Sequence, residues 1–336
     1  MYNPAVQQVS PSGAVVSPTS RRIRAFAPAG IGNFAAGFDV LGAAVAPADG
    51  SLWGDVVTIE EVPPGAPASF TCTGPFAGRL PADPEDNLVV RTRAFFEEAV
   101  GAPLPPLAIA LHKGLPVKSG LGSSAASAVA AAFALNAWSG GPLGDAGLLE
   151  VAGRAESLAS GALHLDNVAP LLLGGLLLVP PEGLPRRLPF PADLAVVVAS
   201  PALEVATVDA RRALPKDIPL SLAVVHAQNL AAFVHALHAG DRPLLRETLR
   251  DLLAEPLRAG LVRGFREAQQ NALEAGALGA SLSGAGPAVF AVAEDGDACA
   301  VATALESGFR STGVAAEVRI CRIDPRGARL LEDAIP

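Results

Sequence analysis

Runs of β-branched or alternating apolar residues recur along the chain, and apolar residues at helical spacing separate them. The runs bounded by Gly and Pro predict strands at 22–27, 55–61, 107–112, 194–200, 287–293 and 314–323. The helical spacing predicts helices at 87–100, 124–138, 220–239, 257–275 and 297–309. Strands and helices that interleave in this order are typical of an α+β fold.

A proline-rich stretch divides the chain into two differently patterned halves. Residues 180–191 contain five prolines in twelve positions, which predicts a domain boundary near residue 185. The chain of 336 residues is long enough for two domains, here 21–185 and 186–330. Residues 1–20 are rich in Ser, Pro and Val and lack the basic and apolar regions of a signal peptide. We expect them to form a disordered tail.

The composition argues against several classes of protein. The 25 basic and 33 acidic residues give a net charge of −8 without any basic stripe, which disfavours nucleic-acid binding. The three cysteines have neither metal-ligand nor disulfide spacing, so a reducing cytoplasm is expected. The windows 124–138 and 171–179 are too short or too weakly apolar to cross a bilayer. We therefore expect a soluble cytoplasmic protein without nucleic-acid or membrane partners.

A glycine-rich loop at 114–123 joins the predicted strand 107–112 to the predicted helix 124–138. A helix that opens on Ser123 and Ser124 directs several backbone N–H groups and the positive end of its dipole at one point. This arrangement is typical of an anion site, although the spacing matches neither a Walker A loop nor a dinucleotide fingerprint. For this loop alone, a glycine-rich turn without a ligand is the alternative.

Three further segments carry polar residues or glycines in apolar surroundings. Segment 27–42 contains Asn33 and Asp39, which in isolation are equally well explained as turn and cap residues. Glu156 ends a helical pattern, and an exposed Glu there is usually solvated surface. Segment 280–290 leads two glycines into a strand, for which strand-entry packing is a sufficient explanation. No single segment establishes a functional site.

Together these segments resemble the GHMP kinase superfamily over about residues 21–325. The stretches similar to its first motif, its phosphate loop and its third motif are 27–42, 119–125 and 283–287. The chain departs from the first motif at Gly30, where Ser or Thr is usual, and at Ala36, where Pro or Gly is usual. The order and spacing of the motifs are far more specific than any one of them.

Within the superfamily the chain resembles the homoserine kinase family. The polar cluster of His164, Asp166 and Asn167 belongs to one of three signals for this family. The signals are His-x-Asp-Asn-Val-Ala-Pro at 164–170, Thr207-x-x-x-Arg211 after Ser200-Pro201, and Ala-Glu-Pro-x-Arg at 254–258. The resemblance implies ATP-dependent phosphorylation of L-homoserine to O-phospho-L-homoserine in threonine biosynthesis, with Mg²⁺, by a homodimer.

The resemblance also implies a fold and the roles of individual residues. The expected fold is α+β, with an N-terminal domain like domain 2 of ribosomal protein S5 and a ferredoxin-like C-terminal domain. The expected ATP-binding residues are Asn87, Lys118, Ser119, Gly120, Leu121, Gly122, Ser123 and Ser124, with Ser124 and Glu156 holding Mg²⁺. The expected homoserine-binding residues are Asn33, Asp39, His164, Asn167, Thr207, Arg211, Arg258 and Gly284. The expected catalytic residues are Glu156, His164, Asn167 and Arg258.

Two other functions are open at this stage. One is a GHMP kinase for an isoprenoid precursor, a sugar or shikimate, although a neutral sugar leaves the cations Arg211 and Arg258 without partners. The other is a ligand-binding relative that has lost the reaction. For a kinase, the amide of Asn167 cannot accept a proton, so we expect in-line transfer that depends on positioning rather than on a general base. Whether His164 acts as a base is open.

Overall fold

The computed structural model describes residues 21–161 and 163–332, except for the side chain of Thr207. The expected disordered tail at 1–20 lies outside the described residues. The strands in the described part are β1 (Arg22–Gly32), β2 (Leu41–Pro47), β3 (Gly54–Glu61), β4 (Ser69–Thr73), β5 (Leu107–His112), β6 (Leu176–Leu178), β7 (Arg186–Leu188), β8 (Leu194–Pro201), β9 (Gly279–Leu282), β10 (Val289–Glu294), β11 (Ala316–Ile323) and β12 (Arg329–Leu330).

Most of these strands form one continuous sheet in the order β4-β5-β3-β1-β2-β11-β8-β10-β9. β4 and β5 are parallel, and the other neighbours along this path are antiparallel. β12 pairs with β1, β6 pairs with β2, and β7 pairs with β6. The sheet therefore runs without a break from the first half of the chain into the second.

β1 extends beyond the predicted strand 22–27 because it pairs with two partners in turn. Its first part pairs with β3, and its last four residues pair with β2, a strand that the sequence pattern does not indicate. Gly30 lies in this second part, where a Cβ atom would be only 2.3 Å from Leu171 Cδ1. Leu171 thus fills the space in which the superfamily usually has a Ser or Thr side chain.

The helices in the described part are α1 (Leu88–Val100), α2 (Ser123–Trp138), α3 (Asp145–Ser160), α4 (Leu165–Leu173), α5 (Thr207–Arg212), α6 (Leu220–Ala239), α7 (Arg242–Thr248), α8 (Glu255–Arg258), α9 (Phe265–Glu274) and α10 (Ala298–Ser311). Four of the five predicted helices correspond to α1, α2, α6 and α10, with ends that differ by about two residues at most. α2 is buried on nearly all sides because its many Ala side chains allow close packing.

The predicted helix 257–275 is wrong as a single helix. α8 ends at Arg258, a 3-10 turn follows at Ala259–Leu261, and α9 begins only after Gly264. Gly264 has φ 86°, and a Cβ atom there would lie 2.5 Å from Thr312 Oγ1. The chain therefore turns at a glycine in left-handed backbone, and a helical spacing of apolar residues does not reveal such a break.

Helices cover both faces of the sheet, which confirms the α+β class. α2 packs against β1 and β3, α4 packs against β1 and β2, and α9 and α10 pack against β8 to β11. Alternate residues of β8 enter two different cores, Val196 and Val198 one of them and Val197 the other. The sequence of a strand that is buried on both faces is a continuous apolar run, as in residues 194–200.

The predicted boundary near residue 185 falls in the connection between β6 and β7, two paired strands. The core on the N-terminal side also includes residues from beyond this connection. The ring of Phe34 stacks on Phe290 with centroids 5.0 Å apart, and it lies 6.3 Å from the ring of Phe233. The division into 21–185 and 186–330 stays a prediction, and the two parts share a sheet and a core.

α6 is the one helix of the described residues that is long and apolar enough to cross a membrane. This corrects the expectation that no segment has that length and composition. A core helix of a soluble protein can have the same length and composition, and part of this helix is buried in the protein. The buried residues Phe233, Ala236 and Leu237 pack its C-terminal half into the core of the protein.

Candidate active site

A cavity of about 660 Å³ opens where the predicted motif segments meet. Its walls come from the start of α1, the loop before α2, the end of α3, the start of α5 and the turn before β10. The sequence-predicted residues that line it are Asn87, Lys118, Ser119, Gly120, Gly122, Ser123, Ser124, Glu156, His164, Asn167 and Gly284. The fold therefore brings five segments that are distant in sequence to one cavity.

The loop at 114–123 presents the first turn of α2 to this cavity. Gly122 is the N-cap of α2, with φ 66°, and makes no side-chain cap. The first N–H groups of a helix have no intrahelical partners, and the helix dipole is positive at this end. The N-terminal turn of α2, with Ser123 and Ser124, is thus arranged to bind an anion, as the sequence predicts.

The loop is fixed by the two other glycine-rich motifs. Ser283 Oγ donates to the carbonyl of Gly120 at 2.6 Å, and Ala288 N donates to the carbonyl of Ser119 at 2.9 Å. On the other side, Gly30 N donates to the carbonyl of Leu121 at 3.0 Å. Leu121 itself is fully buried, so it holds the loop in the core and contributes backbone rather than a side chain.

A buried ion pair lies beneath the loop, and neither of its residues was predicted from the sequence to belong to the site. Lys113 Nζ donates to Asp55 Oδ2, to the carbonyl of Ser123 at 2.8 Å and to Ser127 Oγ at 3.3 Å. Asp55 Oδ1 accepts from the N–H groups of Gly114 and Leu115. One carboxylate thereby connects the start of the loop to the start of α2. The available signal was that two of the only three Lys residues flank this loop.

Glu156 is buried within α3 and faces Ser124 across the cavity. Its Oε1 accepts from Ser124 Oγ at 3.4 Å, and its Oε2 accepts from Ser160 Oγ at 2.8 Å. Burial raises the pKa of Glu156 to about 7, and no basic side chain pairs with it in the described part of the chain. A buried carboxylate beside a hydroxyl is a donor set that suits Mg²⁺. The solvated-surface alternative for Glu156 does not hold.

The first motif forms a left-handed turn directly after β1. Asn33, Phe34 and Ala35 have φ values of 66°, 40° and 58°. Such a run in non-glycine residues costs free energy and occurs where the surroundings fix it. Asn33 Nδ2 donates to the carbonyl of Gly284 at 3.2 Å, and its Oδ1 accepts from Asp39 N at 3.1 Å. The Asn33 side chain thus holds the site together, and both of its polar atoms bond to backbone groups.

Asp39, Arg211 and His164 are in contact at one end of the site. Arg211 Nη2 donates to Asp39 Oδ1 at 2.6 Å and lies 2.9 Å from His164 Nδ1. Burial, followed by the charge of Arg211, lowers the pKa of His164. A neutral imidazole that accepts from a guanidinium has that ring nitrogen occupied, which makes it a poor proton acceptor there.

Arg258 is buried beside this cluster without a carboxylate partner. Its Nε donates to the carbonyl of Ala210 and its Nη1 to the carbonyl of Gly284, both at 3.1 Å. No carboxylate oxygen of the described residues lies within 4.0 Å of it. Phe38, which the predicted site also lacks, has both Arg211 and Arg258 within 5.5 Å of its ring centroid. A buried guanidinium in this state favours an anionic ligand.

Asp166 is a further buried carboxylate, outside the residues assigned from the sequence. Its Oδ2 accepts from Asn33 N at 3.3 Å and its Oδ1 from Asn167 Nδ2 at 3.2 Å. Burial, and then the charge of Asp39, raises the pKa of Asp166 to about 7. The His-x-Asp-Asn spacing contained this residue but gave no reason to separate it from its neighbours.

The remaining predicted residues differ in what they offer. Asn87 caps α1, its Oδ1 accepting from Val89 N at 3.0 Å, and its Nδ2 has no partner among the described residues. Lys118 is exposed at the cavity wall with φ 55°. Thr207 begins α5, and its side chain lies outside the described part of the structure.

Two family models match the chain. The GHMP kinases N terminal domain matches residues 87–175, and the GHMP kinases C terminal matches residues 233–311. The chain is also 36% identical to homoserine kinase from Cytophaga hutchinsonii, with a TM-score of 0.85 over 95% of this chain and 100% of that one. The chain belongs to the GHMP kinase family. Its fold is the two-domain GHMP kinase fold, as the sequence motifs imply.

Other GHMP kinases of known structure are more distant. A Listeria monocytogenes protein assigned as a homoserine kinase is 25% identical, with a TM-score of 0.69 over 93% of this chain and 100% of that one. Mevalonate kinase from L. major is 18% identical, with a TM-score of 0.65 over 89% of this chain and 95% of that one, which shows a shared fold alone. GHMP kinases use ATP, typically with Mg²⁺.

Proposed function

We propose that this GHMP kinase transfers the γ-phosphoryl group of ATP to the side-chain hydroxyl of L-homoserine. The observation that carries the proposal is the charge arrangement beside His164 and Gly284, two residues that line the cavity. Two guanidinium groups, Arg211 and Arg258, stand there with one carboxylate, Asp39. The similarity to the Cytophaga hutchinsonii homoserine kinase over nearly the whole chain supports the same substrate.

An α-amino acid matches this arrangement because it carries both charges. Its ammonium group would take the place of Arg211 beside Asp39, and its carboxylate would receive Arg211 and Arg258. Guanidinium groups bind carboxylates in bidentate geometry, and Arg258 has no carboxylate partner among the described residues. The exchange keeps every buried charge paired. A neutral sugar would leave both guanidinium groups without an anion.

The nucleotide end of the cavity fits MgATP. The first turn of α2 and the amides around Gly120 would hold phosphate oxygens, while Ser124 and Glu156 would hold Mg²⁺. A bound Mg²⁺ would neutralise charge on the transferring phosphoryl group. Asn87 also lines the cavity, and its Nδ2 would donate to the adenine base.

The hydroxyl end is lined by His164, Asn167 and Gly284. The homoserine hydroxyl oxygen would attack in line, and its proton would pass late to the phosphoryl oxygens. Neither neighbour serves well as a base, because Asn167 is an amide and the pKa of His164 is lowered. Positioning and charge neutralisation therefore supply the rate.

The substrate assignment is tested by ADP release with paired acceptors. We expect kcat/KM to be highest for L-homoserine, above L-threonine, L-serine and mevalonate. Two analogues each lack one charge: 3-amino-1-propanol has no carboxylate, and 4-hydroxybutyrate has no ammonium. Both should be used at least about 100-fold less well, since each leaves a charged side chain of the site without its counter-ion. A higher kcat/KM for mevalonate or a sugar would make the chain another kind of GHMP kinase.

Arginine substitutions separate the substrate end from the nucleotide end. Arg211→Ala or Arg258→Ala should weaken homoserine use by roughly 2–4 kcal/mol and leave the Kd for ATP nearly unchanged. Arg212→Ala is the matched control, because Arg212 is on the same helix, is exposed and contacts Asp209. An equal loss of ATP affinity in the Arg258 variant would place that residue on the phosphates instead.

The same proposal carries three further expectations. The product, O-phospho-L-homoserine, is expected to enter threonine biosynthesis. The enzyme is expected to act in the cytoplasm and to form a homodimer, which sedimentation equilibrium would test directly.

A further inference from the structure

The proposed function leaves the buried carboxylate of Asp166 without a role. Asp166 is 2% exposed and lies at the start of α4, directly before Asn167. Asn167 lines the cavity, whereas Asp166 is not among its lining residues. Its side chain bonds to the side chain of Asn167, which does line the cavity.

Both oxygens of Asp166 face N–H donors. The donor to Oδ2 is the backbone N–H of Asn33, which cannot act as an acceptor. The donor to Oδ1 is the side-chain amide of Asn167, whose Nδ2 lies 3.2 Å away. An ionised carboxylate only accepts hydrogen bonds, so it selects one of the two orientations of the neighbouring amide.

The selected orientation presents the Asn167 carbonyl oxygen toward Gly32, the last residue of β1. A Cβ atom on Gly32 would lie 2.6 Å from Asn167 Oδ1, and a Cβ atom on Gly284 would lie 3.8 Å from it. The missing side chain at Gly32 leaves the space that Oδ1 occupies. Asn167 and Gly284 line the same part of the cavity.

We propose that Asp166 is a positioning residue that fixes the Asn167 amide with Oδ1 as the hydrogen-bond acceptor for the substrate hydroxyl group, before the proton passes to the phosphoryl oxygens. This inference rests on the proposed transfer to a hydroxyl group. With its proton directed to Oδ1, the hydroxyl oxygen keeps its lone pairs for the phosphoryl group. An inverted amide would donate to the hydroxyl oxygen and occupy one of those lone pairs.

The test is a double-mutant cycle at pH 8 with Asp166→Asn and Asn167→Ala. Asparagine at 166 has nearly the same size but can donate, which lets the Asn167 amide invert. We expect Asp166→Asn to lower kcat by about 10- to 100-fold, with the KM for homoserine and the Kd for ATP changed less than about threefold. In the Asn167→Ala background the same substitution should cost less than about twofold.

A merely structural role predicts a different outcome. If Asp166→Asn lowers kcat by the same factor with and without the Asn167 side chain, the proposal is overturned. Asp324→Asn is the matched control, because Asp324 is equally buried, accepts from Arg326 N and pairs with Arg329 outside the cavity. Urea midpoints of all variants establish that the compared enzymes are folded.

Gly32→Ala provides a second test that leaves Asp166 unchanged. The added methyl group would lie within 2.6 Å of Asn167 Oδ1, so it should turn the amide and lower kcat. That loss should vanish in the Asn167→Ala background, and an equal loss there would overturn the proposal. If the wild-type protein phosphorylates another acceptor better, the homoserine assignment fails, and both cycles are run with that acceptor.

Discussion

Two carboxyl groups of the candidate site have a pKa of about 7, Glu156 and Asp166. Burial is the main cause for both, and Asp39 contributes for Asp166. The sequence gives no sign of either shift, because Glu156 by itself reads as solvated helix surface.

The raised pKa of Glu156 predicts a pH dependence of stability. A carboxyl group whose pKa is raised in the folded state stabilises that state fully below its unfolded pKa, about 4.5. This contribution is lost as the pH rises through about 7, and it amounts to at most about 3 kcal/mol. Glu156→Gln should therefore flatten the fall in the free energy of unfolding between pH 5 and 8, measured by urea titration without added nucleotide or Mg²⁺. Parallel profiles would contradict the shift.

Glu156→Gln also tests the metal site. The substitution keeps the size of the side chain and removes its charge, so kcat should fall by at least about 100-fold. The concentration of Mg²⁺ needed for half-maximal rate should rise. Glu150→Gln, on the exposed side of the same helix, should leave both values unchanged. Near-normal turnover in Glu156→Gln would remove this residue from the metal site.

At the scale of elements, the phosphate loop depends on Asp55 of β3 and Lys113 after β5. Their side chains are buried, and together they bond to both ends of the loop. Removing one member leaves the other charge buried without its partner, which costs about 3–5 kcal/mol. A turn rich in glycine would otherwise have many conformations. The ion pair restricts it to the one that faces the cavity.

Asp55→Asn is therefore expected to destabilise the protein by about 3–5 kcal/mol and to weaken ATP binding in the fraction that stays folded. Glu98→Gln supplies the comparison, because Glu98 and Arg154 form an exposed pair with a distance of 2.7 Å. That variant should lose little stability, because an ion pair in contact with solvent contributes little. Chemical denaturation and ATP titration measure the two effects. Equal losses in both variants would show that burial of the Asp55 pair is unimportant.

At the scale of the whole molecule, the site exists only where the two halves of the chain meet. Gly284 N donates to the carbonyl of Gly32 at 3.1 Å, and Ser283 Oγ reaches the carbonyl of Gly120. A Cβ atom on Gly120 would lie 2.7 Å from the carbonyl of Ser283. The glycines therefore allow backbone segments from the first motif, the loop before α2 and the third motif to touch.

Gly120→Ala and Gly140→Ala compare this close approach with backbone strain alone. Both glycines have φ near +80°, but a Cβ atom on Gly140 would meet nothing within 4 Å. Gly140→Ala should cost about 1 kcal/mol and leave kinetics unchanged. Gly120→Ala should cost clearly more and raise the KM for ATP at least about tenfold, because the loop must move. Similar KM values for the two variants would contradict this view of the loop.

Local pattern was sufficient for elements whose signals lie within themselves. The apolar spacing of α1 and the helix-forming residues of α2 predict these helices, and the continuous apolar run of β8 predicts a strand buried on both faces. β2 and the break before α9 were missed. The first is a strand because it pairs with β1, and the second depends on a glycine that packs near Thr312. The strand β2 and the break before α9 both depend on contacts between residues that are distant in sequence.

The sequence by itself determined the family, the position of the glycine-rich loop and part of the cavity lining, because motif order and spacing are properties of the chain. Only the tertiary structure decided that Glu156 is buried, that Arg258 lacks a carboxylate partner, and that Asp166 faces the Asn167 amide. Burial and hydrogen-bond partners are set by segments far apart in sequence. A residue's charge can be read from its letter, but its pKa and orientation depend on the neighbours that folding supplies.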